Sequence, residues 1–391
     1  MRLRAGSMFI VCLSLHLACC FSCAKRCAEP PSGGTWTADR AAVDARLVRM
    51  LGRELFAEAE SLADSMLSAG WRDPRLLGQK AAAVGMLGRV DEAVGLFEEA
   101  IVADYESCEN HINFAVLLMR AGMTGRAVTE LREAKRFCTG ANRIMIFRDL
   151  AVGYVKMNRP DRAIEEVENG LSIAPNDPYL LGLKGMLIAG SDPAAAERLL
   201  SVPISSGEAK PEFLYQYGVL LINAERHDRA VEVLERAFAL NPSDLDIGEA
   251  LALALHRAKR LSEAEDLYRR LEEKGRAHPL ELARVYIDLE RHGEALALLS
   301  GLEPTAEILD RAAVCLMNLG RIDEAVEKEE RALAMRPDWP VAMINLAVLR
   351  AARGELEEAR SLLERVLEID PDNAAARRNI DRITEALEGA E

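Results

Sequence analysis

An all-α fold built from a row of similar helical hairpins is what this sequence predicts, and three observations carry the prediction. The first is a pattern written twice. Gly320-Arg321-Ile322-Asp323-Glu324-Ala325 runs on through Ala332 to Pro337, and thirty-four residues later Gly354-Glu355-Leu356-Glu357-Glu358-Ala359 runs on through Val366 to Pro371. A fixed period of this length marks a stacked array, in which each unit buries its apolar face only against its neighbours. The second is composition. Of the 391 residues 50% are apolar but only 5% aromatic, a Leu- and Ala-rich balance that suits close helix packing better than a β-sandwich. The third is punctuation. Pro74, Pro178, Pro211 and Pro340 stand where first helices open, and Gly88, Gly122, Gly320 and Gly354 fall between paired helices. Proline at a first helical position loses nothing, because the N–H there has no intrahelical partner.

Taken in order, residues 1–27 differ from the rest. Arg2 and Arg4 precede an almost wholly apolar stretch from Met8 to Ser22. That length is short for a spanning helix, which needs about 20 residues, and suits the apolar region of a secretory signal. Five of the eight cysteines crowd here: Cys12, Cys19, Cys20, Cys23 and Cys27. Leu17-Ala18-Cys19-Cys20 resembles a bacterial lipobox, which implies lipidation at Cys20. Cys19 stands where that motif prefers Gly, Ala or Ser, so Cys23 and plain cleavage after Ala24 stay open as alternatives. A metal or cluster site at Cys20-x-x-Cys23-x-x-x-Cys27 is disfavoured, because it would lie in or beside a greasy segment and not in a folded loop. Residues 28–39, with Pro30, Pro31, Gly33 and Gly34, cannot build a core and read as a flexible linker.

The array is placed at residues 40–373. Small residues recur in the second helices at Ala59, Ala93, Ala127, Ala163, Ala230, Ala264, Ala295, Ala325 and Ala359. Units accordingly start near Arg40, Pro74, Cys108, Ile144, Pro178, Pro211, Leu245, Arg276, Ala306 and Pro340. The steps shorten around Arg276 by about one helical turn. The unit from Pro178 is irregular, with Gly185 in its first helix and Ala195-Ala196 in a second helix expected to be short. Residues 374–391 close the chain with a capping helix, Ala374 to Leu387. It carries Ile380, Ile383 and Leu387 on one stripe and Arg377, Arg378, Asp381 and Glu385 opposite.

With Ala81, Ala115, Ala151, Gly185, Gly218, Ala252, Ala283, Ala313 and Ala347 at the eighth place of their units, the array resembles the tetratricopeptide repeat family. The twenty-seventh place holds Ala100, Ala134, Gly170, Ala237 and Ala332 in the same way. The resemblance implies a right-handed superhelical solenoid of about ten helix–turn–helix units. It also implies that partners lie in a concave groove along the first helices. On this chain the groove places fall at Val116, Met119, Val152, Val155, Met186, Val219, Ile222, Leu253, His256, Arg284, Val314 and Met317. Part of that stripe is equally expected to pack between neighbouring units.

No site of chemistry is expected: no catalytic residues, no metal ligands and no cofactor. His111, His227, His256, His278 and His292 stand singly, in no metal-ligand spacing, and read as surface or groove residues. The pairs Glu98-Glu99, Glu165-Glu166 and Glu329-Glu330 lie on second helices and read as solvated faces. No phosphate-binding loop or nucleophile elbow is present. Cys108 and Cys138 open the first helix and end the second of one unit, which brings them to the same end of an antiparallel pair. There they form either a disulfide or two ordinary buried thiols, and Cys315 reads as core. A net charge of −14, with 63 acidic against 49 basic residues, lacks the basic face that nucleic acid demands.

These readings predict a non-catalytic scaffold of the bacterial cell envelope, held by an N-terminal lipid at the periplasmic face of the outer membrane. Its partners would be other proteins or peptides, with no nucleic acid and no small-molecule substrate. Assembly of a secretion, pilus or outer-membrane complex is the expected setting. A cytosolic or membrane-attached adaptor, and an accessory that recruits cell-wall or glycan enzymes, are the alternatives.

Overall fold

The structure, a computed structural model, describes residues 37–207 and 209–388. Residues 37–39, expected to close a flexible linker, already belong to a helix, whereas expectations placed on residues 1–36, the Cys20 lipidation site among them, lie outside the described residues. Among those residues there are helices and no strand, in two compact units that divide after Ala224.

The first unit opens with α1 (Thr37–Leu51) and α2 (Phe56–Ser68), followed by α3 (Pro74–Met86) and α4 (Val90–Ala103). Next come α5 (Cys108–Arg120), α6 (Thr124–Phe137), α7 (Gly140–Lys156) and α8 (Pro160–Ile173). It ends with α9 (Pro178–Ile188), α10 (Pro193–Ser205) and α11 (Pro211–Asn223). The second unit holds α12 (His227–Leu240), α13 (Leu245–Arg257), α14 (Leu261–Glu273), α15 (Pro279–Asp288) and α16 (His292–Ser300). It continues through α17 (Ala306–Asn318), α18 (Ile322–Met335), α19 (Pro340–Ala352), α20 (Leu356–Ile369) and α21 (Ala374–Glu388). Within each unit helices pack on their sequence neighbours, and first helices also meet the next first helix, from α1 to α11 in the first unit and from α17 through α19 to α21 in the second. That is the contact pattern of a helical-repeat solenoid, not of a globule closed by distant segments.

Local chemistry fixes the helix limits. Asp73 and Asp177 cap α3 and α9, their carboxylates accepting from the Arg75 N–H at 3.0 Å and the Leu180 N–H at 2.9 Å. Asp244 does the same for α13, and Asn373 Oδ1 accepts from the Ala376 N–H at 3.0 Å at the start of α21. Between most paired helices one residue turns left-handed. Gly88, Gly122, Gly320 and Gly354 do so without strain, whereas Glu54, Asn158, Lys259 and Glu290 do so at φ of 60°, 55°, 60° and 60°. A side chain in that region costs about 1–2 kcal/mol.

Every one of the nine second-helix alanines picked out by the period is 0% exposed. Helix backbones approach closely there, with larger side chains filling the space beside them. At Gly185 the approach is closer still: an added Cβ would lie 2.8 Å from Leu200 Cγ and 3.1 Å from the Ala196 carbonyl oxygen. At the end of the second unit, Ala376 and Ile383 of α21 are buried with Met343, Ala347, Ala359, Leu363 and Val366. Ile380 and Leu387 pack against that cluster, so the terminal helix lays its apolar stripe on the last hairpin.

Two expectations change. The irregular hairpin from Pro178 does not shorten its second helix. Its first, α9, has 11 residues, and α10 runs for 13 because Asp192 caps it and Pro193 opens it. The missing turn near Arg276 comes out of the helices themselves and not only the junction, since α15 has 10 residues and α16 has 9.

Candidate partner-binding face

The twelve residues expected to line a groove divide by burial. Val116, Met119, Val152, Met186, Val219 and Ile222 in the first unit are buried, and Val155 is half-buried. The broad apolar trough is therefore mostly closed there. First helices of successive hairpins lie against one another, α5 on α7 and α7 on α9, and consume the stripe as packing. Met119 illustrates this: its methyl carbon is 3.1 Å from where a Cβ on Gly153 would sit. In the second unit Leu253, Arg284, Val314 and Met317 are half-buried, and His256 is buried. Val348 on α19 is 40% exposed, Val341 is 52% exposed and Ile344 is half-buried. The open part of the first-helix face is therefore a mixed strip on α13, α15, α17 and α19.

Polar residues on this strip are mostly engaged. His256 Nε2 is 3.0 Å from Asp288 Oδ2, which also accepts from Lys259 Nζ at 2.7 Å. Burial pushes the His256 imidazole down despite that carboxylate. Arg284 donates to both oxygens of Glu281 at 2.9 Å. Arg311 lies one turn before Val314, and its pKa is lowered by burial and by the Arg284 charge. The twelve-residue expectation missed it. Its i, i+3 spacing to Val314 was the available signal.

Three further sequence readings are corrected. His111 is not a surface residue: it is 1% exposed, between Glu130 Oε2 at 2.8 Å and the Tyr105 carbonyl at 2.9 Å. Glu166 is buried and held by Lys135 at 2.7 Å, so it is no part of a solvated face. Glu329 is 0% exposed, between its own first helix and the next hairpin. Cys108 and Cys138 are bonded in the structure with Cα atoms 5.3 Å apart, joining the start of α5 to the end of α6. Cys315 is buried and free.

Neighbouring hairpins are also tied by polar contacts about one period apart in sequence. In the first unit Asp44 accepts from Gln79, Arg89 meets Glu60 at 2.7 Å, Arg126 meets Glu98 at 2.8 Å, and Arg148 meets Asp177. In the second, Asn345 donates to Asp310 at 2.8 Å, and Arg276 meets Asp246 at 2.7 Å.

Hairpins in series, a small residue at each close approach and a first-helix face left partly open define a helical-repeat protein. Two stretches, residues 215–279 and 316–379, match family models described as tetratricopeptide repeat, so repeats of that kind are present in this chain. Human protein O-mannosyl-transferase TMTC1 is 28% identical over 193 residues, 46% of this chain and 22% of that protein. The DnaJ homolog subfamily C member 7 homolog of Dictyostelium discoideum is 24% identical over 226 residues, 57% of this chain and 40% of that protein. The chain thus spans less than half the length of either relative. Among solved structures, Pseudomonas aeruginosa pilF gives a TM-score of 0.48 at 18% identity, covering 54% of this chain and 95% of that one. Yeast Tom70 gives 0.37 at 13%, covering 91% and 97%.

Proposed function

We propose that this chain is a non-catalytic scaffold that binds segments of other proteins along the first helices of its second unit. The observation that carries the reading is the strip of half-buried Leu253, Arg284, Val314 and Met317 beside exposed Val348. Apolar side chains left partly open on a rigid row of helices suit an amphipathic partner segment, and methionine adapts to varied shapes. In the same proposal the scaffold works in the cell envelope, tethered by lipid at Cys20 through residues 28–36, and helps assemble a secretion, pilus or outer-membrane complex. Cys20 and its apolar run support that placement.

The test uses the full chain with a photo-crosslinking side chain at Met317, and separately at Glu364 on the second-helix side, irradiated in cells. Adducts at the first position and not the second support the face proposed. Equal labelling at both, or none at Met317, defeats it. Globomycin treatment with mass measurement tests the tether: an accumulated precursor supports lipidation, and an unmodified Met1 start in the soluble fraction overturns it.

A further inference from the structure

Second helices of this chain carry most of their carboxylates outward; Glu166 is buried but held by Lys135 at 2.7 Å, and a second buried carboxylate lies at the joint between the last two hairpins. Glu329 on α18 is 0% exposed, and neither of its side-chain oxygens has a hydrogen-bond donor in proper geometry. Asp310, on the partner helix α17, is half-buried, and its Oδ1 accepts from Asn345 Nδ2 of α19 at 2.8 Å. Three elements thus bring two carboxyl groups and one amide together, with Glu329 itself closed to water. Two ionised carboxylates there would repel without compensation, whereas one carboxyl that keeps its proton can donate to the other.

We propose that Asp310 and Glu329 share one proton and form a pH-sensitive latch, which holds α19–α21 on the preceding hairpin until that proton is lost. Burial and the neighbouring Asp310 push the Glu329 carboxyl up to about 9, and burial also raises Asp310. The charged groups that face the pair do not replace the proton. Arg311 and Glu307 of α17 act on Asp310 with opposite signs, and Arg311 is itself opposed by Arg284 of α15. From α19 the facing group is the neutral Asn345 amide, while Arg350 further along is held by Glu330 at 2.8 Å.

The sign of the effect is fixed. Glu329 keeps its proton in the closed joint but ionises in the opened one near its ordinary value of 4.5. Opening therefore releases a proton to solvent. It becomes easier as pH rises from that ordinary value to about 9, by about tenfold in the opening equilibrium per pH unit.

The experiment is hydrogen exchange of the full chain between pH 6 and pH 9, corrected for the intrinsic rate and compared with Glu329→Gln. The expected result is an opening equilibrium for residues 340–388 that rises about a hundredfold over about two pH units in the wild type. In Glu329→Gln it should stay flat, while residues 245–300 behave alike in both. Infrared spectra at neutral pH should also show a protonated-carboxyl band that Glu329→Gln removes. Identical pH dependence in both proteins, or no such band, overturns the latch. Should Glu329→Gln fail to fold, Asp310→Asn takes its place. The carboxyl of Glu329 then ionises without a like charge beside it, so the alkaline rise must move or shrink, and an unchanged profile overturns the proposal.

Discussion

Gly182 and Gly95 offer a paired test of how closely the hairpins fit. Both lie inside helices, α9 and α4, where alanine is the better residue by about 0.5–1 kcal/mol. At Gly95 an added Cβ meets nothing within 4 Å, so Gly95→Ala should gain that propensity in full. At Gly182 the same atom would lie 2.8 Å from both Cε2 and Cζ of Phe213 and 3.0 Å from Cδ2. Phe213 is 0% exposed and packs edge-on to Tyr179 with ring centroids 5.3 Å apart, so the ring has no room to retreat. Overpacking of this kind costs about 1–3 kcal/mol. After the propensity gain, Gly182→Ala should lose about 1–2 kcal/mol net. Urea unfolding followed by far-ultraviolet circular dichroism reads both changes against wild type, with slopes compared to check that the transition keeps its character. If Gly182→Ala proves as stable as Gly95→Ala, the contact between α9 and α11 is looser than described and the reasoning fails.

Three other outcomes are expected. Cys138→Ser, which opens a loop of sequence separation 30, should lower the stability of the oxidised protein by about 4 kcal/mol, and added reductant should reproduce the loss in wild type. Coincident melts with and without reductant would count against a bridge in solution. For His111, burial opposes the charged form, but the Glu130 carboxylate and the Tyr105 carbonyl outweigh it and raise the imidazole. Its stabilising charge is thus complete below the ordinary value near 6.5 and disappears as pH climbs through the raised one. His111→Asn should accordingly flatten the pH–stability curve above pH 6, which melts at half-unit steps would reveal. Lys259→Gly, at a left-handed turn with φ of 60°, should raise the melting midpoint by relieving about 1 kcal/mol of strain. A drop would mean that the Lys259 contact to Asp288 outweighs the turn.

Much of the architecture was legible because period and packing are the same fact seen twice. Ala59 through Ala359 recur in sequence since each occupies an equivalent close approach, and the structure finds all nine shielded from solvent. The terminal stripe of Ile380, Ile383 and Leu387 was readable for the same reason: a one-sided helix must lie on something. What escaped was the environment of individual charges. Glu166 and Glu329 sit in pairs that look solvent-facing, and the groups that decide their burial, Lys135 and Asp310, are on other helices. His111 owes its state to Glu130, nineteen positions away across a turn. The groove was overdrawn for a related reason. Places nine and twelve tell which way a side chain points, but not how near the next hairpin stands, and in the first unit it stands near enough to cover six of seven.

The polar ties one period apart have a mechanical consequence. Within a hairpin the two helices adhere through alanine and leucine, a dry adhesion that dissolved ions hardly touch. Between hairpins part of the hold is electrostatic and partly wetted, as at Arg89–Glu60 and Arg126–Glu98, and ions screen such pairs over about 8–10 Å. Within each unit, added salt should therefore loosen one hairpin from the next while the hairpins themselves keep their form.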